Sequence, residues 1–423
     1  MDKIKQIFRI KELRNSILLA LGLLIVFRLA AHIPIPGIDT EALRRIFLQN
    51  QFLGLINIFS GGGLENFSVV AMGVGPYITA SIIVQLLAMV IPSLEEMQKE
   101  SEQSRAKLNQ YTRFLTIPMA LIQSFGLITL LGRSSQQILG SLSAIQLAVT
   151  MVTLTAGTLF LMWLGELISE KNIGNGISLI IFAGIIAGLP TLFQQTILTF
   201  DRSQIVNLVA FVVLGIITIA AVVFITEGQR NIPVSYARAE RASRVYGGTT
   251  TTLPLRVNQG GVIPIIFAIS MILFPTVVAQ FFLRAKSASI ANAAQWLIDL
   301  FANQTFYGVV YFLLVILFTY FYTSVIFHPK EVAENLQKQG GFIPGIRPGT
   351  QTADYLNFVV NRIILAGAVF LGVIAVLPLI VQQLTGMQSL VIGGTSLLIV
   401  VSVVVEIFAK VDSQLTMRDY EGF

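Results

Sequence analysis

Apolar residues dominate long stretches of this chain, interrupted by short polar or glycine-rich segments. A helix that crosses a bilayer needs about 20 apolar residues, roughly 30 Å at about 1.5 Å per residue. Ten stretches meet that length and predict ten membrane spans, near residues 16–33, 68–91, 112–131, 145–168, 177–198, 205–226, 261–283, 306–327, 357–381 and 388–408. Ahead of the second span the pattern breaks. Leu55 to Ile91 is nearly twice the length of one span and carries Gly61-Gly62-Gly63 in its middle. The excess is too short and too glycine-rich to cross again, which predicts a half-span that enters and turns back. Such backbone survives at membrane depth only inside protein or beside a water-filled cavity. The pattern therefore predicts an all-α, polytopic bundle around a cavity, with a short re-entrant segment near 55–66.

The polar segments set the orientation. With the N-terminus inside, 21 of the 28 Lys and Arg residues fall on inner segments and six on outer ones, leaving Arg28 within the first span. Positive charge accumulates on the cytoplasmic side, so both termini are expected there. This divides the chain into a segment 1–15, a half 16–198 with spans one to five, a half 199–408 with spans six to ten, and a tail 409–423. Two inner loops, 227–260 and 328–356, are too long for simple connectors. They carry Arg230, Arg238, Arg241, Arg244 and Arg256, and Lys330, Lys338 and Arg347. Residues 93–113 read as a charged helix with a solvated face. Pro76 and Pro264 occupy corresponding second spans of the two halves, a weak sign of an inverted repeat.

Composition narrows the chemistry. Apolar residues make up 54% and charged residues 12%, against about 25% charged in soluble domains. The chain has no cysteine and two histidines far apart, His32 and His328. That excludes disulfides and thiolate sites and argues against a histidine metal centre. The basic start (Lys3, Lys5, Arg9, Lys11, Arg14) precedes a full-length span without a cleavage site, and reads as an anchor and not a signal peptide. No catalytic or phosphate-binding motif occurs, so no enzyme activity and no cofactor are expected. Charge inside the spans is sparse: Arg28 in the outer half of the first, Glu166 and Glu406 near inner ends. Aliphatic faces stand there instead, Ile78 with Ile82 and Ile177 with Ile181 at helical spacing, and Ile266 and Ile399 in other spans. An apolar constriction can gate by dewetting, although isoleucine in a membrane helix usually meets lipid or a packed neighbour. A channel and a secondary solute transporter both remain open at this point, the latter needing ionisable partners at mid-span.

Several segments carry a family resemblance. They are Ile33-Pro34-Ile35-Pro36-Gly37, Phe59-Ser60-Gly61-Gly62, Pro76-Tyr77-Ile78-Thr79-Ala80-Ser81-Ile82-Ile83, Gln110-Tyr111-Thr112-Arg113 and Ile173-Gly174-Asn175-Gly176-Ile177-Ser178. Further on come Ile232-Pro233-Val234, Leu253-Pro254-Leu255-Arg256-Val257-Asn258, Gly260 to Phe267, Gly341 to Gly349 and Gly393-Gly394-Thr395-Ser396. In this order, on these loops and span starts, the chain resembles the SecY family of protein translocase channel subunits along essentially its whole length. The resemblance implies an hourglass channel of two inverted five-helix halves, plugged by a re-entrant helix. Ile78, Ile82, Ile177, Ile181, Ile266 and Ile399 match the pore ring. Ile56, Ile58, Phe59, Ser60, Gly61, Gly62, Gly63 and Leu64 match the plug. A lateral gate is implied between spans two and three and spans seven and eight, with Ser81, Gln85, Ser270 and Phe274. Arg238, Arg241, Arg244 and Arg347 match partner-binding positions, with simple inner-side anchoring an equal reading for Arg230 and Arg256. Implied partners are the SecE and SecG subunits, the SecA ATPase, ribosomal RNA, signal-bearing preproteins and the bilayer. A bacterial inner membrane is implied, a thylakoid being compatible. The stretch Ser101-Glu102-Gln103-Ser104-Arg105 departs from the family, with serines where glycines are usual.

Overall fold

The structure is a computed structural model. It describes residues 10–36, 43, 57, 60, 62–100, 102–132, 143–198, 205–236, 239–241, 244–246, 250–283, 287–385 and 389–421. Each predicted span carries a helix. They are α1 (Lys11–Ala30), α2 (Gly75–Val90), α4 (Glu102–Gly132), α5 (Ala144–Ser169), α6 (Gly176–Leu198), α7 (Ile205–Glu227), α8 (Ile263–Phe282), α10 (Gln304–Ile326), α12 (Thr350–Thr385) and α13 (Ser389–Glu421). Three more helices join them: α3 (Pro92–Glu100), α9 (Ala288–Ala302) and α11 (Pro329–Lys338). Among the described residues α1, α5, α12 and the stretch formed by α10 and α11 are each long and apolar enough to cross a membrane. The stretch α2–α3 passes the same test as a pair, bent by 109°. The charged helix expected over 93–113 is thus α3 and the first turns of α4.

Helix starts follow backbone chemistry. Pro76, Pro264 and Pro329 sit in first turns, where a missing N–H costs nothing. The second helix begins at Gly75 and not at residue 68. Residues 69–74 are turns, and Gly73 has a φ of 59°, a region that suits glycine. Inside the bundle, buried threonines return their hydroxyls to the carbonyl one turn back, as Thr116 does to Thr112, Thr158 to Leu154 and Thr319 to Val315. This satisfies a hydroxyl where no water is at hand.

Helices α2, α4, α5 and α6 pack in succession, with α1 against α5 and α6. The remaining spans pack as α8 on α10, α10 on α12, α12 on α13 and α13 on α7. These two groups meet along two seams, α8 against α2 and α4, and α6 against α13. One hydrophobic cluster runs through the centre and draws on both groups.

The long polar loops fold in a way the hydropathy did not foretell. Strands β1 (Gln229–Tyr236), β4 (Thr250–Arg256) and β5 (Gly341–Phe342) form an antiparallel sheet in the order β4-β1-β5, and β2 (Ala239–Arg241) pairs with β3 (Arg244–Tyr246). Two prolines hid these strands. Pro254 lies on edge strand β4, and Pro233 lies where β5 does not reach, since β5 pairs with Ser235 and Tyr236. Proline is tolerated at just such places. Ile232, Val234, Leu255 and Ile343 fasten the sheet to Leu356, Val359, Val360 and Ile364 of α12. The two loops are therefore one body at one end of the bundle.

Candidate pore, plug and gate

The six isoleucines singled out in the sequence come from four helices, α2, α6, α8 and α13, and join one hydrophobic cluster. Ile78, Ile82, Ile181, Ile266 and Ile399 are buried, and Ile177 is half-buried against the same cluster. Local sequence aims them. In Asn175-Gly176-Ile177-Ser178 the Asn175 Oδ1 accepts from the N–H groups of Ile177 (3.0 Å) and Ser178 (3.2 Å), capping α6. Ser169 Oγ accepts from Gly176 N–H at 2.8 Å and donates to the Gly165 carbonyl. A Cβ on Gly176 would collide with the Gly165 carbonyl. The two glycines let α5 and α6 touch backbone to backbone, and the Ile177 side chain lies over Gly165. At the start of α8, Gly261 has a φ of 59° and its carbonyl accepts from Asn258 Nδ2 at 3.1 Å. That turn launches the helix that carries Ile266.

The plug positions are seen in part. Ile56, Ile58, Phe59 and Gly61 lie outside the described residues, whereas Ser60, Gly62, Gly63 and Leu64 lie within them. Asn57 is helical, and Ser60 and residues 62–67 form turns. Ser60, 1% exposed, donates its hydroxyl to the Asn57 carbonyl at 2.9 Å and accepts from Leu64 N–H at 2.9 Å. Glu65 N–H donates to Asn57 Oδ1 at 3.1 Å. Gly62 has a φ of 81°, and a Cβ there would lie 3.6 Å from Arg28 Nη1. The intramembrane arginine thus faces this segment. Farther on, a bridge between Pro34 and Ser68 ties residues 62–73 to the end of α1. Leu64, Phe67 and Ala71 are fully buried against Leu127, Ile128 and Leu131 of α4 and Leu154 of α5. A Cβ at Gly157 would strike the Val69 carbonyl, so α5 and this roof also meet backbone to backbone. Val70 and Val74 belong to the isoleucine cluster.

The seam of α8 with α2 and α4 is closed. Ser81 and Gln85 are half-buried on α2, with Gln85 Nε2 donating to Ser81 Oγ at 3.0 Å. Gln85 Oε1 is buried without a partner. Ser270 is buried and Phe274 half-buried on α8. Phe267 sits edge-on to Phe318 and Tyr322 of α10. Two contacts went unread in the sequence. Gln123 Nε2 of α4 donates to Thr79 Oγ1 of α2 at 3.3 Å. Arg113 of α4 pairs with Glu166 of α5 at 2.8 Å, and its signal was the placement of both at inner span ends.

Of the partner-binding arginines, Arg238 lies outside the described residues. Arg241 of β2 and Arg244 of β3 are partners in the backbone register of the two strands. Arg347 is exposed on a loop held by buried Ile343, by glycines 345 and 349 with φ of 83° and 98°, and by Thr352 Oγ1 donating to the Arg347 carbonyl at 2.9 Å. Among the described residues no group of histidines and carboxylates could hold a metal.

This arrangement has counterparts. The chain is similar to solved structures described as "The structure of a protein conducting channel" (TM-score 0.63, 18% identity, 93% of this chain and 90% of that one) and as Sec61 in the canine ribosome-channel complex (TM-score 0.59, 17% identity, 93% and 90%). A structure concerned with the plug domain of the SecY protein matches with a TM-score of 0.64 at 18% identity, over the same shares of the two chains. In sequence it is 44% identical to the protein translocase subunit SecY of Corynebacterium glutamicum over 100% of this chain and 99% of that one. It is 42% identical to that of Streptomyces scabiei over 98% of both. The SecY family profile matches residues 68–408, and the chain belongs to the SecY family.

Proposed function

We propose that this chain is the channel-forming subunit of a protein translocase. Unfolded secretory polypeptide passes through the isoleucine ring, and signal sequences and membrane helices leave sideways through the α8 seam. The observation that carries this reading is the six isoleucines from four helices in one buried cluster, roofed by residues 62–73. Aliphatic side chains offer a passing chain no fixed hydrogen bonds, and they exclude ions when they close. The interior is aliphatic where a solute transporter needs charged partners at mid-span. A signal helix entering the seam gains from the apolar area it gives to lipid. The chain carries out no chemistry of its own, and a partner supplies the energy.

The sheet-bearing end, with Arg241, Arg244 and Arg347, is the docking end for SecA or the ribosome. Arginine suits both because it pairs bidentately with carboxylate and phosphate. SecE and SecG are the companion subunits. The membrane is a bacterial inner membrane, with both termini and the sheet on the cytoplasmic side, as the basic loops favour. The reading is supported along its whole length by relatives that bear the translocase name.

The chain has no native cysteine, so a single Ile266→Cys needs no prior engineering. Reconstituted with SecE and SecA, it should form a disulfide with a stalled preprotein carrying one cysteine, only when ATP is present. Val213→Cys, on the exposed face of α7, should not. Crosslinking only at Val213, or at neither site while the preprotein is protected inside vesicles, would remove the pore assignment.

A further inference from the structure

The channel reading gives Arg28 no task. This residue lies half-buried in the last turn of α1, where a cation suits the carbonyls that end that helix. Its guanidinium reaches farther, since a Cβ on Gly62 would lie 3.6 Å from Nη1. Gly62 stands at a helical end of its own. Its φ is 81°, and its N–H donates at 3.0 Å to the carbonyl of helical Asn57, five residues back. A bond of that reach beside a left-handed glycine marks where a helix stops, and negative potential gathers at such a stop. Arg28 therefore stands beside two helical ends, that of α1 and that of the turn holding Asn57.

The chain changes character after Gly62. Downstream, its backbone is fastened to the exit of α1: Ile35 N–H donates to the Phe67 carbonyl and Val69 N–H to the Ile33 carbonyl, both at 3.0 Å. Leu64, Phe67 and Ala71 are 0% exposed, and Val69 meets Gly157 of α5 backbone to backbone. Upstream, Asn57 and Ser60 hold to the rest through small local bonds. Gly63 N–H donates to the Ser60 carbonyl at 3.2 Å, Leu64 N–H to Ser60 Oγ at 2.9 Å and Glu65 N–H to Asn57 Oδ1 at 3.1 Å. We propose that the movable plug ends at Gly62, that residues 64–73 are a fixed roof which stays when the plug leaves, and that Arg28 is the positioning residue that holds the plug at rest by its charge. The division places Leu64 with the roof. The proposal rests on the plug reading, and its test separates the two.

Ser60 is 1% exposed, and the chain has no native cysteine to compete for a label. In vesicles without preprotein, Ser60→Cys should react slowly with a water-soluble maleimide. Arg28→Gln in that background should speed labelling about two- to fivefold, the range for a cation at a helix C-terminus. Arg28→Met gives the same comparison if Arg28→Gln folds poorly. Arg28→Lys, which keeps the charge, should stay near the slow rate. Ala71→Cys, in the roof, should stay slow whichever residue occupies position 28. Unchanged labelling of Ser60→Cys on loss of the charge would remove the role of Arg28. Equal acceleration by Arg28→Gln and Arg28→Lys would assign that role to packing and overturn the charge. Parallel acceleration at Ala71→Cys would mean that roof and plug loosen together, and the division at Gly62 would fall. Fast labelling of Ser60→Cys with Arg28 in place would overturn the plug reading itself. The isoleucine ring is left to the Ile266→Cys crosslink in every case.

Discussion

Single residues decide how tightly the pore is built. Gly165 and Gly176 are the crossing point of α5 and α6, where a Cβ on Gly176 has no room. Gly176→Ala should destabilise the protein by more than the ~1–3 kcal/mol usual for overpacking, read as a fall in melting temperature in detergent. Gly165→Ala meets chiefly the Ile177 side chain, its tip at 2.5 Å. It should fold better and act on the ring, raising ion leakage across vesicles. Ser60 is the matching point in the proposed plug. Ser60→Ala strips Leu64 N–H of its acceptor at a 1% exposed site, a loss of about 1–3 kcal/mol. The expected result is a channel that conducts ions in the absence of preprotein, measurable as current across a planar bilayer. Unchanged resting current would mean that this turn has no part in the seal.

At the scale of elements, the ion pair between Arg113 and Glu166 joins α4 to α5 beside the α6 crossing. Arg113 is half exposed, at 52% of its side chain, so the pair should contribute no more than about 0.2–1 kcal/mol. Arg113→Glu should lower the melting temperature slightly, and the reversed pair with Glu166→Arg should restore it. Independent effects of the two changes would show that the contact is not formed in the membrane. The spans were legible in the sequence because lipid imposes a length and an apolar composition that no other force supplies. Strands β1 and β4 were not, because each holds a proline, Pro233 and Pro254, that a strand accepts only at edge positions or where pairing is incomplete. Helix α9 was hidden by Asn292, Gln295 and Asp299, although Ala291, Ala294, Leu297, Ile298 and Phe301 already traced one helical face. The isoleucines were visible only as faces. Their meeting depends on glycine contacts between distant segments, which no local pattern encodes.

The whole molecule is two groups of helices that part only if a seam opens. Helix α8 closes one seam against α2 and α4, and α6 with α13 forms the other. A covalent link between Gln85→Cys and Ser270→Cys should abolish preprotein translocation into vesicles, and reduction, or cleavage of the linker, should restore it. Full translocation through the linked channel would mean that the moving seam lies elsewhere. This closed packing buries the isoleucine cluster in a chain with few charged residues. At the isoleucine cluster the side chains are aliphatic and offer an ion no ligand.

Strand β1 pairs on one side with β4 and on the other with β5, so residues more than a hundred positions apart share one stiff plate. Seven residues after β4 the chain enters α8. Whatever grasps the Arg347 loop therefore also holds the segment that leads into the proposed gate helix, and torque applied at one loop reaches that segment through the hydrogen bonds of the sheet. The plate is a handle, and its hinge lies only two turns of helix from the door.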